Sequence, residues 1–170
     1  MAISIQQHRI AGAPFKPSPN HGSAFEAGLP DAIVIHFTGG SSPESAVNWL
    51  TNPQSKASAH VVIGRDGNIT QLLPFDTVGW HAGASSYGSR KGYNKFSIGI
   101  ELDNPGRLKR TEGGEFISSF GRKYPANLVL AATHRNERAE SFWLAYTEEQ
   151  IDATFDLCSA LCATYPVWEI

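Results

Sequence analysis

The chain has 170 residues, a formal net charge of −2 and a hydrophobic share of 41%, which describe one ordinary globular domain with room for a substantial core. That balance gives no electrostatic reason to expect nucleic acid or an anionic membrane as a main partner. No apolar run approaches the ~18 residues that span a bilayer. The opening MAISIQQHRI lacks a charged segment followed by an apolar one, so the expectation is synthesis without a secretory signal and retention in the cytosol until something else moves the chain.

Residues 1–17 are expected as an N-terminal arm and 18–170 as the domain. The Pro-, Gly- and Ser-rich run over 11–30 should be irregular. AIVIHF, residues 32–37, is a β-branched run consistent with a central strand. Ser42 and Pro43 resemble an N-cap and first helical position, and Ala46, Val47, Trp49 and Leu50 would give the short helix an apolar side. KASAHVVIGRDGNITQLLP predicts a hairpin turning at Asp66-Gly67, and FSIGIEL over 96–102 is another strand. A loop follows. Thr147 and Gln150 then form a capping-box pattern, ahead of Ile151, Phe155, Cys158, Cys162 and Tyr165 at helical spacing, joined by Leu157 and Leu161. Pro166 ends that helix, and VWEI could begin a further strand. The layout is that of an α/β fold, one central mixed β-sheet flanked by helices, in a single domain.

Cys158 and Cys162, the only cysteines, read as small buried hydrophobes on one helical stripe; a thiolate metal pair would need further ligands in that segment. Of six histidines, His36, His60 and His81 sit beside sharp local features, whereas His8 and His21 read as bystanders. His36 is near a strand end, where side chains of open sheets enter a crevice. His60 opens the hairpin strand, and His81 lies in GWHAG among small residues. Glu101 is anomalous in so apolar a strand. Gly99, on the same face, would leave room beside its carboxylate, and burial would raise its pKa toward general-base range. The bland alternatives are a satisfied core histidine at 36 and a solvated edge glutamate at 101. No HExxH, CxxC pair or GxSxG is present.

VIHFTGG, SAHVVIGRDGNITQLLP, GWHAG and SIGIELDNPG, in this order and spacing, resemble the type 2 N-acetylmuramoyl-L-alanine amidases. These are zinc-dependent peptidoglycan amidases that include phage endolysins and muropeptide-recycling enzymes, with peptidoglycan recognition proteins as relatives. The resemblance covers roughly residues 18–170, and ATHRNE resembles a phage-associated branch. It implies a mixed sheet with a zinc-bearing groove, and hydrolysis of the amide between N-acetylmuramic acid and L-alanine in peptidoglycan or muropeptides. It also implies His36 as a zinc ligand, Glu101 as catalytic base, Trp80 and His81 as groove-lining residues, and Asn104 and His60 as supporting, substrate-side residues. Action on cytosolic muropeptides or on the cell wall after release would both suit the family.

Further zinc ligands in the family, a histidine and an aspartate, follow the long C-terminal helix, and a lysine accompanies them. YPVWEI stands where that stretch should start. The expectation is therefore an amidase domain lacking its C-terminal ligand segment, with weak zinc binding and little hydrolysis. Self-association through the uncovered edge, including Val167 and Trp168, is also expected. The alternative function is a muropeptide-binding module without catalysis.

Overall fold

The structure is a computed structural model and describes residues 3–135 and 137–167. Trp168 and the rest of VWEI after Val167, expected to start a strand, lie outside the described residues. No described helix is long and apolar enough to cross a membrane.

Residues 3–30 are more than an arm. Strands β1 (Ile5–Gln6) and β2 (Arg9–Ile10) pair with each other, and β3 (His21–Ala24) precedes β4 (Ala32–Phe37). Ile10 is buried in the main core with Ile3, Ile5 and Ala13 against it. The boundary expected at residue 18 therefore falls within packed structure. Ser18 and Asn20 are buried and donate side-chain hydrogen bonds to the Leu50 and Asn52 carbonyls. A Pro- and Gly-rich run is thus held by side-chain-to-backbone bonds as well as by backbone bonds from the Lys16 and Ser18 amides to the Gln71 and Leu72 carbonyls.

Helix α1 (Pro43–Leu50) begins as its sequence demands, with Ser42 accepting from the Ser45 amide and Ser45 reciprocating. It buries Ala46, Val47 and Leu50 but leaves Trp49 60% exposed. β5 (Val61–Ile63) and β6 (Ile69–Gln71) form the expected antiparallel hairpin. β7 (Thr77–Gly79) pairs with β3, and β8 (Ser86–Tyr87) with β9 (Arg90–Lys91). β10 (Ser97–Leu102) completes a four-stranded mixed sheet of order β4-β10-β5-β6, with β4, β10 and β5 parallel. AIVIHF is consequently an edge strand, not a central one, and Ile35 on it is 51% exposed. SIGIEL takes the centre instead and is buried at every residue but Glu101.

Parallel register gives the two faces different jobs, because paired residues share a face. Ile98, Ile100 and Leu102, with Val61 and Ile63, face α2 (Glu148–Thr164) and its Leu157 and Leu161. On the opposite face α1 covers Val62, and Tyr93 with Phe96 covers Ala32. Between those two lids lie His36, Gly99 and Glu101.

Two further corrections concern the C-terminal third. Residues 103–146, expected as a loop, contain a second antiparallel sheet of β11 (Arg107–Arg110), β12 (Phe116–Ile117), β13 (Lys123–Tyr124), β14 (Val129–Ala132) and β15 (Ser141–Leu144), in the order β13-β12-β11-β15-β14. Helix α2 has the expected Thr147–Gln150 capping box and buries the expected Leu157 and Leu161, but with Gln150 and Thr154 in place of Ile151 and Phe155. Phe155, on the expected apolar stripe, is 72% exposed. The buried Gln150 donates to the Asp103 and Ile63 carbonyls at the end of the sheet. Cys158 and Cys162 are free and half-buried, and Cys158 packs on the core.

Candidate active site

Glu101 and His36 are register partners on adjacent parallel strands, a pairing that puts both side chains on one face, one strand spacing apart. Glu101 Oε2 is buried and has no hydrogen-bond partner among the described residues. Burial in this setting pushes its carboxyl up to about 7. The carboxylate borders a cavity of about 430 Å³ whose wall includes Thr38, Gly40, Ser45, Ala57 and Trp49. The exposed tryptophan of α1 therefore faces the carboxylate across a cleft. Tyr146, just before α2, has its phenol pushed up by burial and then by the charge of Glu101.

His36 meets His81 edge to face, with 3.0 Å between His36 Nε2 and His81 Nδ1. The two imidazoles border a second cavity of about 580 Å³ with Val34, Ala82, Tyr87 and Tyr93. His81 is held down by its backbone. Its amide and that of Ala82 both donate to Asn94 Oδ1, and the Trp80 amide donates to Ser58 Oγ. Its ring packs against Gly99, where an added Cβ would come within 2.4 Å of His81 Cγ. The space expected beside Glu101 is thus filled by His81. Burial, with His60 and His36 nearby, lowers His81 to about 3, and that of His36 is also lowered by burial.

Three of the expected site residues, Trp80 of the groove and the supporting His60 and Asn104, line neither of these two cavities. His60 is fully buried between the rings of Phe25 and Phe75. Its Nδ1 accepts from the Gly99 amide at 3.0 Å and its Nε2 stands 2.8 Å from the Thr77 carbonyl, so Nε2 carries the proton. It ties β10 to β7 beneath the site and cannot touch a substrate. Asn104 is buried as well. It donates to the Leu144 carbonyl and accepts from the Gly106 amide, joining the second sheet to the end of β10. Trp80 is 39% exposed beside Gly22 of β3, and the two cavities that reach Glu101 and His36 are lined without it. Sequence reasoning missed Trp49, Thr38, Tyr93 and Tyr146. Only Trp49 carried a signal, as a tryptophan on the edge of a short helix's apolar side. A larger concavity of about 1020 Å³ lies on β11 and β12 among charged side chains and shares no residue with this face.

His60 supplies a test of the core. Burial lowers it to about 4, against an ordinary value of 6.5. The unfolded chain therefore binds the proton first. The stability held by the neutral ring is complete above about pH 6.5 and is lost as pH falls toward 4, by about 1.4 kcal/mol per pH unit and roughly 3 kcal/mol in all. Glu101, raised toward 7, works in the opposite sense over the same window. The measurement is hence the difference between wild type and His60→Gln. Urea midpoints followed from pH 7.5 to 4.5 should fall more steeply for wild type, and parallel curves would contradict this account.

The chain resembles known proteins in both sequence and fold. Residues 26–170 match the profile of the Amidase_2 family, N-acetylmuramoyl-L-alanine amidase. The chain is 34% identical to the 1,6-anhydro-N-acetylmuramyl-L-alanine amidase AmpD of Escherichia coli over 125 residues, 64% of this chain and 68% of the relative. For the Citrobacter freundii AmpD the figures are 35% over 120 residues, 61% and 64%. Among solved structures, a crystal structure of an AmpD selenomethionine derivative superposes with a TM-score of 0.62 at 27% identity, covering 95% of this chain and 80% of that one. The E. coli amidase AmiD, in complex with anhydro-N-acetylmuramic acid-L-Ala-D-γ-Glu-L-Lys, gives 0.58 at 26% identity, covering 84% and 48%. The chain belongs to the N-acetylmuramoyl-L-alanine amidase family.

Proposed function

We propose that this chain cleaves the amide between the lactyl group of anhydro-N-acetylmuramic acid and the L-alanine of a muropeptide stem. One observation carries the reading: the Glu101 carboxylate, unpartnered at Oε2, stands at a cleft in register with His36. A desolvated carboxylate of this kind takes a proton from a water molecule as the water oxygen attacks the amide carbon. It then returns that proton to the alanine nitrogen as the C–N bond breaks. The 1,6-anhydro sugar is proposed from the relatives, which are 1,6-anhydro-N-acetylmuramyl-L-alanine amidases. Recycled, soluble muropeptides are the matching substrate class, with action in the cytosol.

Zinc, which the family resemblance implies, needs three protein ligands and an open position. Among the described residues no group of three or more His, Cys, Asp or Glu side chains could hold a metal. His36 offers one ring nitrogen, whereas both ring nitrogens of His60 and of His81 are occupied by hydrogen bonds. The described residues do not fit a zinc site by themselves. The purified chain should accordingly carry well under one zinc after gel filtration, as measured by elemental analysis. Retention of one zinc per chain would contradict this.

That donor set also favours a second reading, a module that binds muropeptide without cutting it. Titration of an anhydro-muropeptide with and without added zinc separates the two. Consumption of the ligand supports the amidase, and metal-independent binding with full recovery of the ligand supports the module.

A further inference from the structure

The pairing of the two histidines has a direction, and the neighbouring acceptors fix it. His81 Nε2 lies 3.1 Å from the Ser97 carbonyl oxygen and 3.3 Å from Ser97 Oγ. The carbonyl can only accept. The hydroxyl hydrogen of Ser97 is committed to the Tyr93 carbonyl, so Oγ too can only accept toward His81. Both neighbours therefore require a proton on His81 Nε2. At pH 8, above the ordinary imidazole value of about 6.5, the ring is neutral, and a neutral imidazole with its proton on Nε2 has a bare Nδ1. That bare nitrogen is the atom 3.0 Å from His36 Nε2, which must in turn be the donor.

We infer that His81 is a positioning residue for His36, holding that ring through the Nε2–H···Nδ1 bond in the one tautomer whose Nδ1 carries a free lone pair. The chain Tyr93–Ser97–His81–His36 runs in a single sense, and every link has one donor and one acceptor. It is anchored at a buried end, since Ser97 is fully buried and Tyr93 nearly so. His36, by contrast, stands on the free edge of the sheet, with no other side-chain hydrogen bond among the described residues. Without its partner the ring could rotate and exchange tautomers, as an unrestrained neutral imidazole does. A second-row hydrogen bond of this type sets both the ring orientation and which nitrogen is offered to a ligand.

That the free lone pair of His36 matters for turnover rests on the amidase reading; the tautomer itself does not. The experiment therefore uses the ligand-free chain. Long-range ¹⁵N–¹H correlation spectra of the imidazoles, recorded at pH 8, report which ring nitrogen carries the proton. Wild type should show Nε2–H for both His36 and His81. In His81→Asn the amide oxygen can still accept from His36, so His36 should remain Nε2–H. In His81→Leu the acceptor is gone, and His36 should become a mixture of tautomers. A His36 bearing its proton on Nδ1 in wild type would overturn the inference, and so would a His36 spectrum unchanged in His81→Leu. Amidase assays on the same samples add the functional half: Asn should stay within a few-fold of wild type, and Leu should fall at least tenfold. A chain with no amidase activity would still give the tautomer result, so the two failures are distinguishable.

Discussion

Glu101→Gln is expected to reduce amide cleavage by roughly 10²–10⁴-fold, the contribution typical of a positioned general base. The substitution keeps the size and the buried position of the side chain while removing its capacity to accept a proton. The fold should not suffer. An ionised carboxylate with an unpartnered, buried Oε2 is costly to keep, and a neutral amide in its place relieves that cost at neutral pH. The melting temperature should therefore hold or rise, and binding of an uncleaved muropeptide should persist. Cleavage at the wild-type rate would remove Glu101 from the chemistry. A lower melting temperature would mean that its role is mainly structural.

Gly99→Ala should damage both stability and activity, by a different route. The new methyl would lie 2.4 Å from His81 Cγ and 2.8 Å from its Cβ and Cδ2. These atoms are close to the backbone, and that backbone is clamped by Asn94. The ring cannot swing aside cheaply, as the far end of a lysine could. Overpacking of this kind costs about 1–3 kcal/mol. It should also break the hydrogen bonds from His81 to Ser97 and from His36 to His81, lowering turnover at least tenfold although Glu101 is intact. Gly113→Ala serves as the control, because its added Cβ meets only Thr111 Oγ1 at 3.9 Å. That change should stay within about 0.5 kcal/mol of wild type. Denaturant midpoints and turnover of all three chains decide the matter, and a Gly99→Ala protein indistinguishable from Gly113→Ala would refute the packing argument.

The same glycine shows how far the sequence could be read. An isolated glycine in an apolar strand signals a close approach, but not what approaches; alternation put Glu101 on its face, whereas the ring that fills the space comes from residue 81. His36 and Glu101 could each be singled out as odd residues in their strands. Their exact register across β4 and β10 is a long-range property that no local pattern encodes. The N-cap of α1 and the capping box of α2 were legible because they are local chemistry. The burial angle of α2 was legible only in part: Leu157 and Leu161 are buried as read, whereas Gln150, bound to the Asp103 carbonyl, is buried in place of Ile151 and Phe155. The second sheet escaped notice because β12 and β13 have two residues each and its buried side chains are few, chiefly Leu108, Phe116 and Leu144. His60 was legible only as a residue supporting the site, and its two backbone hydrogen bonds, to residues 77 and 99, are long-range properties that no local pattern encodes.

The central claim is that the face bearing His36 and Glu101 hydrolyses one particular amide. The most direct test is to incubate the chain, with zinc supplied, with anhydro-N-acetylmuramic acid-L-Ala-D-γ-Glu-L-Lys and to identify the products by liquid chromatography and mass spectrometry. The account predicts free anhydro-N-acetylmuramic acid together with a tripeptide whose L-alanine bears a new amino terminus, and neither product with Glu101→Gln. Recovery of the intact ligand from wild type, or a cut at any other bond, would contradict it.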